Sequence, residues 1–147
     1  MDLLREMSTK GVAPDVVTYN TAIKACGDGG QWEAAMDLLR EMSTKGVAPD
    51  VVTYSTAIEA CGDGGQWEAA MDLLRERSTK GVAPDVVTYT TAIKACGDGG
   101  QWEAAMDLLR EMSTKGVAPN VVTYTTAIKA CGDGAVSYTH LTLPTKA

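Results

Sequence analysis

The sequence predicts an all-α fold, an α-solenoid of stacked helix-turn-helix repeats. Three observations point there. Val16–Asp50 recurs as Val51–Asp85 and Val86–Asn120, a 35-residue period within 147 residues. Each unit carries two apolar stripes at helical spacing, separated by a glycine turn. Neither stripe can be buried inside its own hairpin, so neighbouring units must stack.

The first predicted helix runs from Val17 to about Cys26. Its opening Val-Val-Thr-Tyr has the composition of a strand. Helix prevails because Tyr19, Ala22, Ile23 and Cys26 fall on one face, at i, i+3, i+4 and i+7. Asp15 supplies an N-cap, and Gly27-Asp28-Gly29-Gly30 is expected to end the helix and turn the chain. The second helix spans Gln31–Thr44, with Trp32, Ala35, Met36, Leu39 and Met42 as its apolar face. Gly46 ends it, and Pro49 keeps it from resuming. The Trp series (Trp32, Trp67, Trp102) belongs to packing on this reading. The change from Met42 to Arg77 suggests that this place sits at a partly exposed edge of the stripe.

The organisation is therefore a partial repeat at 1–15 (end of a second helix and linker), repeats at 16–50, 51–85 and 86–120, and a partial repeat at 121–134 (a first helix). Residues 135–147 form a non-repeat tail, expected to be disordered or artefactual, with a β-augmenting strand as the other reading. That tail lacks the second helix that would cover Tyr124 and Ile128. Met1 falls in register with Met36, Met71 and Met106, in mid-helix, so the array is expected to continue upstream.

Composition excludes several classes. No stretch of eighteen apolar residues exists, so no transmembrane helix is expected. Cys26, Cys61, Cys96 and Cys131 come once per unit. Stacked helices stand roughly 8–10 Å apart, beyond disulfide reach, so these are read as small buried apolar residues. No metal-ligand spacing accompanies them, and the glycine turn fits neither GxGxxG nor a phosphate loop. No nucleophile–base–acid set is evident, so neither an enzyme nor a cofactor is expected. The net charge of −6 counts against strong attraction to phosphates.

The copies differ at four places. The fifth residue is Asn20, Ser55, Thr90 or Thr125; the ninth is Lys24, Glu59, Lys94 or Lys129. The others are the place of Met7, Met42, Arg77 and Met112, and the last residue, Asp15, Asp50, Asp85 or Asn120. The second, fifth and ninth residues (Val17, Asn20, Lys24) share one helix face off the core stripe. Stacking would set an apolar residue, a small hydrogen-bonding side chain and an Asp or Asn along one groove. Asn offers donors and an acceptor, Ser and Thr a hydroxyl, and a carboxylate only acceptors. Such a set suits the Watson–Crick edges of unpaired bases.

Residues 1–134 resemble the pentatricopeptide repeat family, through the unit length, the opening Val-Val-Thr-Tyr-Asn-Thr-Ala-Ile, the Leu-Leu-Arg-Glu-Met and the Lys-Gly-Val-Ala-Pro-Asp ending. The resemblance implies a right-handed superhelix that binds single-stranded RNA, one base per repeat, and acts in organellar RNA processing, stability or translation. It implies a mitochondrial or chloroplast location, and no membrane or small-molecule partner. Carried over by position, Asn20 with Asp50 would read uridine, Ser55 with Asp85 guanosine, and Thr90 with Asn120 adenosine, a core site 5′-UGA-3′. Thr125 lacks its partner. Val17, Val52, Val87 and Val122 would sandwich the bases. Asp28, Asp63, Asp98 and Asp133 stand where many members carry Lys near phosphates, which leaves Lys24, Lys94 and Lys129 as phosphate contacts and predicts a shallow salt dependence. The alternative is a protein- or peptide-binding scaffold of the tetratricopeptide type, which the acidity favours.

Overall fold

A computed structural model describes residues 2–83 and 85–134, with the backbone alone for Asp2, Asp133 and Gly134. The expectations placed on the Asp133 side chain and on the tail 135–147 lie outside the described residues. Within them the chain is helical throughout: α1 Asp2–Thr9, α2 Val16–Asp28, α3 Trp32–Thr44, α4 Val51–Asp63, α5 Trp67–Thr79, α6 Val86–Asp98, α7 Trp102–Thr114 and α8 Val121–Gly134.

Each first helix begins on a capped aspartate or asparagine. The Asp15 carboxylate accepts from the Thr18 N–H at 2.9 Å, and Asp50 accepts from Thr53 N–H at 2.9 Å. Asp85 and Asn120 do the same for Thr88 (2.8 Å) and Thr123 (2.9 Å). Such a cap contributes about 1 kcal/mol, which helps a β-branched first turn to coil.

The helix ends later than the glycine run suggests. Gly27 and Asp28 are helical, Gly29 is the C-cap, and the reversal falls on Gly30 at φ +75°. Only Gly30 uses glycine's conformational freedom. Gly27 is there because it lacks a Cβ: one built on it would lie 2.8 Å from the Ala60 Cβ of α4. Gly62 meets Ala95, and Gly97 meets Ala130, in the same way. The second helix also starts one residue later than expected, with Gln31 as its N-cap.

These close approaches make α2, α4, α6 and α8 one continuous layer. Each second helix packs against its own first helix and the next one, α3 on α2 and α4, α5 on α4 and α6, α7 on α6 and α8. Tyr19, Ile23, Tyr54, Ile58, Tyr89 and Ile93 fill the space between the layers and are almost fully buried. Burial of each such side chain contributes roughly 1.5–3 kcal/mol. Trp32 lies half-buried against the C-cap Gly64, and Trp67 against Gly99, so the indoles join successive hairpins. Tyr124 and Ile128, the last members of the Tyr and Ile series, are 51% and 54% exposed. The four cysteines are free and buried, and burial pushes the thiols of Cys61 and Cys96 up to about 11.

Met42 and Met112 are not at an edge. Both are 0% exposed, and Arg77 in the same place is 3% exposed. The arginine is held inside by hydrogen bonds from its guanidinium to Val82 O and the Tyr89 hydroxyl, both at 3.4 Å.

Tyrosine hydroxyls tie the layers together. Tyr19 donates to Glu41 at 2.9 Å, Tyr54 to Glu76 at 3.2 Å and Tyr89 to Glu111 at 2.9 Å. Arg40 reaches across from α3 to Glu76 at 3.3 Å. Burial, aided by the adjacent glutamates, pushes the hydroxyls of Tyr19 and Tyr54 up to about 12 from the ordinary value of 10. Because the folded values are raised, this stabilisation is complete below pH 10 and is lost as pH climbs through about 12. An alkaline titration of a variant whose other tyrosines are replaced by phenylalanine should therefore show the tyrosinate absorbance of Tyr19 and Tyr54 and the loss of helical circular dichroism rising together across that window. Ionisation of these two at pH 10 with helix content intact would contradict it.

Candidate nucleic-acid interface

The first-helix layer carries a row of exposed valines. Val17, Val52, Val87 and Val122 are 65%, 52%, 57% and 58% exposed, one per helix, at the places expected to sandwich bases. Between successive valines lies a polar rung that joins one first helix to the next.

In the first rung the Asn20 Nδ2 donates to the Asp50 carboxylate at 3.2 Å, and the Thr53 hydroxyl donates to Asn20 Oδ1. The amide orientation follows. Its NH2 faces Asp50 and its carbonyl faces Thr53, which leaves one N–H and one lone pair unspent. Burial acts to raise the Asp50 carboxyl, but hydrogen bonds from Thr53 and Asn20 outweigh it and hold it below the ordinary value of 3.8. Asp50 is therefore an acceptor at neutral pH.

In the other two rungs the fifth and last residues meet through an intermediary. Ser55 Oγ lies 2.9 Å from Thr88 Oγ1, which lies 2.8 Å from Asp85 Oδ1. Thr90 Oγ1 lies 2.9 Å from Thr123 Oγ1, which lies 3.0 Å from Asn120 Oδ1. These threonines, with Thr53, are fully buried. Reading for a variable face passes them over because they are the same in every copy. Their spacing was nevertheless informative: three residues after an N-cap is where a side chain reaches back to the cap.

Thr125 instead donates to its own helix, at Val121 O, 2.7 Å. Asp15 caps α2 and has no preceding first helix among the described residues. Two of the three candidate lysines, Lys24 and Lys94, are held by neighbouring acids. Lys24 pairs with Asp28 at 3.6 Å, and Lys94 pairs with Asp98 at 2.9 Å and Asp63 at 4.0 Å. Lys129 is exposed on α8, beside Thr125 and Thr126. No group of side chains suited to a metal ion occurs among the described residues, and none of their helices is long and apolar enough to cross a membrane.

The PPR repeat family matches residues 14–63, 51–98 and 84–133. The chain belongs to the PPR repeat family. Each matched stretch runs from one first helix through a second helix to the next first helix, and so contains one complete rung. No curated protein matches the chain. Among solved structures it is similar to the pentatricopeptide repeat protein PPR10 in complex with an 18-nt psaJ RNA element (31% identity, TM-score 0.81), over 93% of this chain and 20% of that one. PPR10 from maize matches at 34% identity and TM-score 0.78, over 98% and 20%. The PPR domain of Arabidopsis thaliana protein-only RNase P 1, in complex with tRNA, matches at 19% identity and TM-score 0.74, over 88% and 68%, and speaks for the fold alone. The chain thus spans about one fifth of the PPR10 chains it resembles.

Proposed function

We propose that this PPR array binds single-stranded RNA with one base per rung, at the core site 5′-UGA-3′, and serves RNA processing, stability or translation in a mitochondrion or chloroplast. The carrying observation is that each gap between exposed valines holds a hydrogen-bonding rung of different donor and acceptor content. In the first rung the free N–H and lone pair of Asn20 complement the O4 acceptor and N3–H donor of uracil. In the second, Thr88 donates its only hydroxyl proton to Asp85, so Ser55 is the donor toward Thr88. Ser55 and Asp85 then present acceptors, suited to the N1–H and N2–H of guanine. In the third, Thr123 spends its proton on Asn120, Thr90 donates to Thr123, and the outward set is the Thr90 acceptor with the Asn120 NH2. That set fits the N6–H and N1 of adenine. The RNA in the PPR10 complex, bound by a protein one fifth of which is similar to 93% of this chain, supports the same ligand class.

Affinity is expected to be low. Stacking gives roughly 1–3 kcal/mol per base, and the paired lysines leave little charge for phosphates. The same acidity favours the second reading, a protein- or peptide-binding scaffold. Gel shifts with single-stranded RNAs carrying UGA and with scrambled triplets separate the two, since equal or absent binding to both leaves only the scaffold. Asn20→Ser should move the first preference from U to G, because a hydroxyl beside Asp50 reproduces the second rung. An unchanged preference would refute that assignment.

A further inference from the structure

We infer that the buried threonines Thr53, Thr88 and Thr123 are specificity-positioning residues, whose hydroxyl sets the polarity with which each base-reading side chain faces the RNA. The inference deepens the base-reading role proposed above and rests on it.

A serine or threonine hydroxyl is ambivalent: it has one proton and two lone pairs and rotates to suit its surroundings. A lone Ser55 would donate to the N1 of adenine as readily as it would accept from the N1–H of guanine. The rung removes that freedom. Asp85 can only accept, and at 2.8 Å it takes the Thr88 proton. The Thr88 oxygen, 2.9 Å from Ser55 Oγ, then holds the serine proton inward. The chain Ser55 to Thr88 to Asp85 runs in one direction, and Ser55 turns a lone pair outward. In the third rung Asn120 Oδ1 accepts from both the N–H (2.9 Å) and the hydroxyl (3.0 Å) of Thr123. Two donors on one atom fix the amide with its NH2 outward, and Thr90 is again the donor toward Thr123. In the first rung the Asn20 Nδ2 donates to Asp50 and so turns its Oδ1 to Thr53; the single Thr53 proton is within reach of both Asp50 Oδ1 (2.9 Å) and that carbonyl, and the carbonyl, which is closer, takes it. Each threonine is fully buried, so solvent does not compete for its proton.

Thr88→Val tests this directly. Valine keeps the β-branched shape, and the cap survives because it is made by the backbone N–H of residue 88. With the hydroxyl gone, Ser55 rotates freely and serves either purine. The ratio of binding to UGA over UAA should fall roughly 3–10-fold, about the value of one hydrogen bond, while preferences at the first and third bases stay as they were. Thr88→Ser should restore the ratio. Thr123→Val should relax the third base alone, and it carries the test if Thr88→Val does not fold. A uniform loss at all three bases, or an unchanged UGA/UAA ratio in Thr88→Val beside a discriminating wild type, would overturn the positioning role and leave base reading intact. A wild-type chain that binds UGA and UAA equally would instead remove the base-reading role, and this inference with it.

Discussion

Replacing Gly62 by valine is expected to destabilise the array by about 3 kcal/mol, the upper part of the range for overpacking a tight contact. A Cβ at Gly62 would sit 2.8 Å from the Ala95 Cβ and 3.2 Å from its Cα. The clash is with a short side chain and with backbone, neither of which can swing aside, so α4 and α6 must separate. Opposing this is helix propensity, since leaving glycine gains up to about 1 kcal/mol in a helix interior. For Gly62→Ala the two effects come close, and a net loss of about 1 kcal/mol is expected. The chain contains its own control. Gly132 occupies the corresponding place on α8, and a Cβ there meets nothing within 4 Å. Gly132→Ala should therefore be neutral or stabilising. Ala95→Gly carries its own helix-propensity cost of about 1 kcal/mol, but combined with Gly62→Ala the loss should be smaller than the sum of the two single losses, and not fully relieved because the Cα remains close. Urea denaturation of these single variants and of the Gly62→Ala/Ala95→Gly double variant measures the coupling. Equal effects at Gly62 and Gly132 would show that the first helices are not held by this contact.

The same glycine series shows what sequence alone could and could not disclose. The hairpins were legible because Tyr19, Ile23 and Cys26 keep helical spacing and a capping residue precedes them. The polar row along the first helices was legible because the copies otherwise agree, so the differences at Asn20, Ser55 and Thr90 stood out. Gly27 was misplaced because a glycine can serve either by bending the chain or by admitting a neighbour, and only the position of Ala60 decides between them. Thr53, Thr88 and Thr123 escaped notice for a related reason. A local pattern describes a residue's own helix, whereas these side chains act across two helices and in three dimensions.

Arg77→Met is expected to stabilise the protein by about 2 kcal/mol, within the range found when buried charged groups give way to apolar ones of similar length. An arginine in place of methionine invited the inference of exposure, yet the structure buries it between α5 and α6. Its stem fills the space that Met42 and Met112 fill in their own hairpins. Its head finds incomplete company: Ser78 at 3.3 Å, Val82 O and the Tyr89 hydroxyl at 3.4 Å, and the Tyr89 ring with its centroid 5.5 Å away. Nε has no acceptor. The hydrogen bonds are long, and the Tyr89 hydroxyl stands between the guanidinium and Glu111, to which it donates at 2.9 Å. Desolvating a cation costs several kcal/mol, and contacts of this quality do not repay it fully. Methionine removes the charge and keeps the volume, while Tyr89 retains Glu111. The denaturation midpoint of Arg77→Met should rise, and Arg77→Ala, which leaves a cavity, should not share the gain. If the methionine variant melted earlier than the parent, the Tyr89 contacts would have to outweigh the burial of the charge. The second hairpin would then be held by its arginine rather than in spite of it.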